Sequence, residues 1–182
     1  TFIHESGHAI MALLTGNRVL SLSVSPNGAG AVYSTSGNWL STMLVSSAGY
    51  LGAMGYGTLL LVLIRRSVAP RVILYASAIP VLVLTLIYGW GTPFTIIAGV
   101  LLTAALIAVG RFARPAIAGF LVALLAVQCI VNAFFDLRTL LFLSNPFSGG
   151  GFTDATNMAR VTHLPAFFWA LVWLVMAGAM LY

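Results

Sequence analysis

Charge is what this sequence has least of. Only 6% of its 182 residues are charged, in the form of one glutamate, two aspartates and eight arginines, and lysine is absent altogether. A soluble domain carries about a quarter charged residues, so a water-solvated fold is excluded. Hydrophobic residues make up 60% of the chain and the mean hydropathy is +1.05. The chain therefore reads as an integral, multi-pass membrane protein whose solvent is the lipid bilayer. The arginines stand singly or in a pair between apolar runs. No basic patch is massed for nucleic acid, and membrane topology accounts for them better. Cysteine is nearly absent too: Cys129 alone excludes an intrachain disulfide and any zinc-ribbon spacing. No basic segment with a cleavage site opens these residues, so the opening stretch is expected to be part of a helix and not a signal peptide. Thr1 to Thr15 is apolar-periodic but shorter than the ~20 residues that span a bilayer, so the expectation is a chain that starts partway through a transmembrane helix.

Against this scarcity, the polar residues are concentrated. Two of the three histidines and the only glutamate fall within His4-Glu5-Ser6-Gly7-His8. Residues four apart share one face of a helix, so the imidazoles of His4 and His8 can converge on one ion with Glu5 beside them. That spacing is the zinc-hydrolase geometry. The competing reading, a small polar cluster in a helical bundle, is the weaker one because ionisable groups inside a membrane are costly and mark function.

Gly16-Asn17 ends this first helix. Leu20, Leu22 and Val24 then alternate with Ser21, Ser23 and Ser25, and Pro26-Asn27-Gly28 offers a turn before Gly30 to Ser34. Period two around Asn-Gly predicts a β-hairpin, whose open edge suits an extended peptide. Apolar segments follow over Trp39 to Ile64, Val72 to Tyr88 with Pro80 inside, Phe94 to Gly110 and Pro115 to Leu143, and a last one begins near Pro165. The expected fold class is thus an all-α polytopic membrane protein, a single domain over residues 1–182 with about six transmembrane helices and a short β-hairpin after the first. Gly49 and Gly52 in the second segment, and Gly7 and Ala12 in the first, favour close helix contact.

The fifth segment carries Gln128, Asn132 and Asp136 at i, i+4 and i+8, a polar line on an apolar helix. If the metal takes a third ligand of carboxylate type, it comes from Asp136 or Asp154. Asp136 lies seven residues before its helix end and His8 eight before Gly16, which puts both ~10 to 12 Å below the same surface by the 1.5 Å rise. Depth thus favours Asp136. Thr153 or Asp154 also suits an N-cap before Ala155 to Arg160, and His163 beside Leu164-Pro165 reads as an interfacial residue.

His4-Glu5-Ser6-Gly7-His8-Ala9, the Ala48-Gly49-Tyr50-Leu51-Gly52 run, and Asn132 with Asp136 downstream resemble the membrane-embedded site-2 protease metallopeptidases, and more closely their short bacterial relatives. The resemblance spans nearly the whole chain. It implies Zn2+ held by His4, His8 and Asp136, with Glu5 as the general base activating a water for hydrolysis of membrane-embedded protein or peptide substrates in a bacterial cell membrane. The chain departs from the family pattern in reading Phe135-Asp136-Leu137 where Leu-Asp-Gly is usual, and in lacking a proline after Asn132. Asn132 is open to several roles: contact with substrate backbone or oxyanion, support of a ligand, or a helix-helix hydrogen bond. A catalytically silent scaffold and a metal-ion or proton transporter are the other classes such residues allow.

Overall fold

The computed structural model describes residues 1–35, 37–144 and 153–182. The element order is α1 (Phe2–Leu14), β1 (Val19–Val24), β2 (Gly30–Ser34), α2 (Trp39–Arg65), α3 (Pro70–Tyr88), a 3-10 turn (Gly89–Gly91), α4 (Pro93–Phe112), α5 (Pro115–Leu143), α6 (Asp154–Thr162) and α7 (Ala166–Ala179). Proline opens α3, α4 and α5, where its missing N–H is no loss and its fixed φ suits the first turn. Asn38 caps α2 by accepting from Ser41 N–H. Pro80 lies within one continuous helix.

The expected helical membrane architecture holds, with fewer spans. Four helices, Trp39–Arg65, Pro70–Gly91, Pro93–Phe112 and Pro115–Leu143, are long and apolar enough to cross a membrane. A fifth crossing would require α6 and α7 together, and these meet at 115° across a short break. The bend has a local cause. His163 ends α6 in the left-handed region at φ 60, and Pro165 follows as the cap of α7, so neither residue continues the helix. At 13 residues, α1 is too short by itself to span.

The hairpin forms where the alternation predicted it. β1 and β2 pair antiparallel, Leu22 opposite Val32 and Val24 opposite Gly30, and Gly28 takes φ +83 in the turn. The end of β1 is fastened to the start of α4: Val24 N–H donates to Thr95 Oγ1 at 2.7 Å, and Thr92 Oγ1–H donates to the Val24 carbonyl at 3.1 Å. The two-stranded sheet has no third strand among the described residues. Its Leu22 and Val24 pack with Ala9 and Ala12 of α1 and Leu84 of α3.

A second core joins α2, α5, α6 and α7 through Met54, Leu137, Met158 and Trp173, and a third, at the far end of the bundle, joins Leu60, Leu74 and Val122. α1 lies on α2 through small residues. A Cβ on Gly7 would run into the Ala48 backbone carbonyl, so the two helices approach at backbone distance.

Candidate metal centre

α1 presents His4, Glu5 and His8 to a cavity of about 690 Å³. Glu5 and His8 are buried, at 6% and 7% exposure. The His8 ring is set by its Nδ1–H, which donates to the Val45 carbonyl of α2 at 2.6 Å. A carbonyl can only accept, so Nε2 is left with its lone pair facing the cavity. His4 stands edge-on to Tyr50, with ring centroids 4.5 Å apart, and Tyr50 is stacked on Trp173 of α7 at 5.4 Å. Trp173 is held in turn by its indole N–H donating to Ser47 Oγ at 3.0 Å.

The third partner arrives from α6. Thr153 caps this helix with a reciprocal capping box to Thr156, which places Asp154 at the first helical position. The Asp154 carboxylate lies 3.9 Å from His4 Nε2 and 3.4 Å from His8 Nε2, through the same Oδ2 atom. The two Nε2 atoms are 3.0 Å apart. Tyr50 of α2 lines the same cavity as Asp154.

These three atoms pass a test of fit for zinc. A triangle with these edges has a circumscribed radius of about 2.0 Å, so a point exists at the ~2.0–2.2 Å expected for Zn–N and Zn–O bonds from all three donors. Two neutral imidazoles and one carboxylate are a donor set used in catalytic zinc sites. Space is left for the donors as well. A Cβ on Gly49 of α2 would collide with Nε2 of both His4 and His8.

The structure therefore brings together His4, His8 and Asp154 as the one such group of potential ligands among the described residues. Glu5 lies beside them on the cavity wall. Asp136, the third ligand expected from its depth, lines the same cavity but stands outside this group. The carboxylate set beside the two histidines is that of Asp154, at the first position of α6. His163 ends α6 as its cap. Asn132 is exposed and bonded to Gln128, Nε2 to Oδ1 at 2.8 Å. Nothing in the sequence pointed to the contacts that Val45, Tyr50 and Gly30 make with α1. Gly30 of β2 presses so close to Glu5 that a Cβ there would meet the carboxylate Oε1 at 2.5 Å. Thr1 Oγ1–H also bonds the Gly28 carbonyl in the turn, so the hairpin borders the general-base candidate directly.

A helical bundle made for a membrane, holding a His-His-carboxylate group and a buried glutamate in an open cavity, has the makings of a membrane metallohydrolase. The comparison with known families agrees: the chain belongs to the Peptidase M50B-like family, which matches residues 1–182, and with it to the site-2 protease group. No curated protein and no solved structure matches it.

Proposed function

We propose that this protein is an intramembrane zinc metalloprotease that hydrolyses peptide bonds of membrane-protein substrates, with His4, His8 and Asp154 as the metal ligands and Glu5 as the general base. The observation that carries the reading is the triangle of His4 Nε2, His8 Nε2 and Asp154 Oδ2, whose edges of 3.0, 3.4 and 3.9 Å match a three-ligand zinc site, with Glu5 next to it in sequence and in space. When bound, zinc supplies a Lewis acid that polarises a carbonyl and lowers the pKa of water toward ~7.

The chain's own residues do the rest. The Val45 carbonyl fixes the His8 tautomer so that its lone pair serves the site. Glu5 takes the proton of the attacking water and passes it to the leaving nitrogen, which is the work of one carboxylate acting first as base and then as acid. A substrate helix shields its own peptide bonds and must unwind to be cut. β2, whose Gly30, Ala31 and Val32 line the cavity, offers the extended segment a strand to lie along.

The test measures zinc and turnover separately. The purified protein should hold about one zinc per chain. Asp154→Ala should empty the site and Asp136→Ala should leave it filled; the reverse result would return the ligand role to Asp136. Glu5→Gln should keep the zinc while cleavage of a bilayer-spanning peptide falls at least ~100-fold, the lower end for loss of a general base. Unchanged turnover in that variant would remove Glu5 from the chemistry and leave a scaffold or an ion pathway as the better account.

A further inference from the structure

α5 carries an exposed polar track in the middle of its length. Its buried seam is Ala118, Val122, Ala126, Cys129, Ala133, Leu137 and Leu140. Beside that seam Gln128, Asn132 and Asp136 are all exposed, and nothing among the described residues covers them. They are flanked by exposed Leu124, Val127, Val131 and Phe135. Gln128 is fourteen residues into a 29-residue helix, so its amide lies at mid-bilayer depth, where a polar side chain belongs against protein or water and not lipid.

The two amides satisfy each other only in part. Gln128 Nε2–H donates to Asn132 Oδ1, which leaves the Gln128 carbonyl, its second N–H and the Asn132 amide N–H groups available. The track is also continuous with the metal centre. Asp136 at its lower end lines the cavity with His4 and Asp154, and Thr139, Leu140 and Leu143 carry the same wall onward.

We propose that this face of α5 is the docking track for the transmembrane segment of the substrate, and that it selects segments with a hydrogen-bonding side chain, Asn, Gln, Ser or Thr, near the middle of their span. The apolar flank accepts the lipid-like surface of such a helix, while Gln128 and Asn132 bond the polar side chain that lipid cannot. Continuity decides the occupant. A segment lying along the track delivers its next turns past Asp136 to the cavity mouth, whereas a permanent partner on the same face would close that approach. The inference rests on the protease reading, so its test has one readout that does not need turnover.

Two synthetic transmembrane peptides serve as probes, identical except that one carries a central Asn and the other a central Leu. Each has one cysteine in its central turn. In the Cys129→Ser, Glu5→Gln background, a cysteine at Gln128 should form a disulfide with the Asn peptide in vesicles several times faster than with the Leu peptide, with Asn132 left in place to choose between them. Equal trapping of the two peptides would overturn the proposal, as would a disulfide between two copies of the protein in preference to either peptide. In the active protein the Asn peptide should be cleaved with about tenfold higher kcat/KM, and Gln128→Leu/Asn132→Leu should abolish that preference while the zinc content stays at the wild-type level. A preference that survives the double substitution overturns the track. If neither peptide is cleaved by the wild type yet trapping still discriminates between them, the docking track stands and the protease reading fails.

Discussion

Gly49 decides whether the histidine pair can form at all. Its missing Cβ is the space into which both Nε2 atoms point, and neither ring can retreat. His8 is tied to Val45, and His4 is walled by Tyr50, itself stacked on Trp173. Gly49→Ala should therefore lower zinc affinity roughly 10- to 100-fold, the equivalent of the ~1–3 kcal/mol that overpacking costs in a close-packed interior. Competition with a chromogenic chelator reads this directly. Affinity within twofold of wild type would show that the rings do not occupy that space. At this scale His4, Glu5 and His8 were legible because helix periodicity alone puts i and i+4 together. Asp154 was only half legible. An aspartate after Thr153 reads equally well as a cap, and the sequence carries no measure of how α6 packs against α1 and α2 to set its first residue beside the histidines.

Among the elements, the α1 and α2 contact sets the position of everything on α1. Gly7 sits against the Ala48 carbonyl, and backbone cannot swing aside as a long side chain can. Gly7→Ala should force the helices apart and destabilise the protein by about 1–3 kcal/mol, seen as a lower thermal midpoint in detergent. Gly55 of the same α2 has nothing within 4 Å of a Cβ, so Gly55→Ala should be neutral or stabilising by up to about 1 kcal/mol, the helix-propensity gain of alanine over glycine. Equal losses in the two variants would mean that generic helix packing, not the backbone approach at Gly7, governs this contact. Elements were the most legible level. The expected Pro115 to Leu143 segment is α5, because a proline start and a continuous apolar run leave little choice. The hairpin followed from period two and Asn-Gly. The last segment was not legible as a broken pair, since apolarity alone reads the same for a crossing helix and a bent one. The Gly149-Gly150-Gly151 run before α6 lies outside the described residues.

For the whole molecule, the placement of the arginines bears on which end of the bundle faces the cytoplasm. Arg65, Arg66 and Arg71 lie where α2 passes to α3, and Arg111 and Arg114 where α4 passes to α5, all at one end. The candidate metal centre is at the other, with the hairpin, the start of α2 and the end of α5 lining its cavity. Arg18, Arg138 and Arg160 belong to that second end, so the count is five against three. Positive charge is retained on the cytoplasmic side, so the arginine count predicts the Arg-rich end inside and the cavity toward the opposite face. The site-2 proteases that the sequence resembles generally keep their zinc nearer the cytosol, so charge and family pull in opposite directions. Single cysteines at Asn27, in the hairpin turn, and at Ser67, in the Arg-rich loop, are both exposed and report on the two ends. In a Cys129→Ser background, an impermeant thiol reagent applied to intact cells should label the cysteine at position 27 and spare the one at position 67. Labelling at position 67 alone would place the candidate metal centre on the cytosolic side and show that the five arginines at this end do not set the orientation.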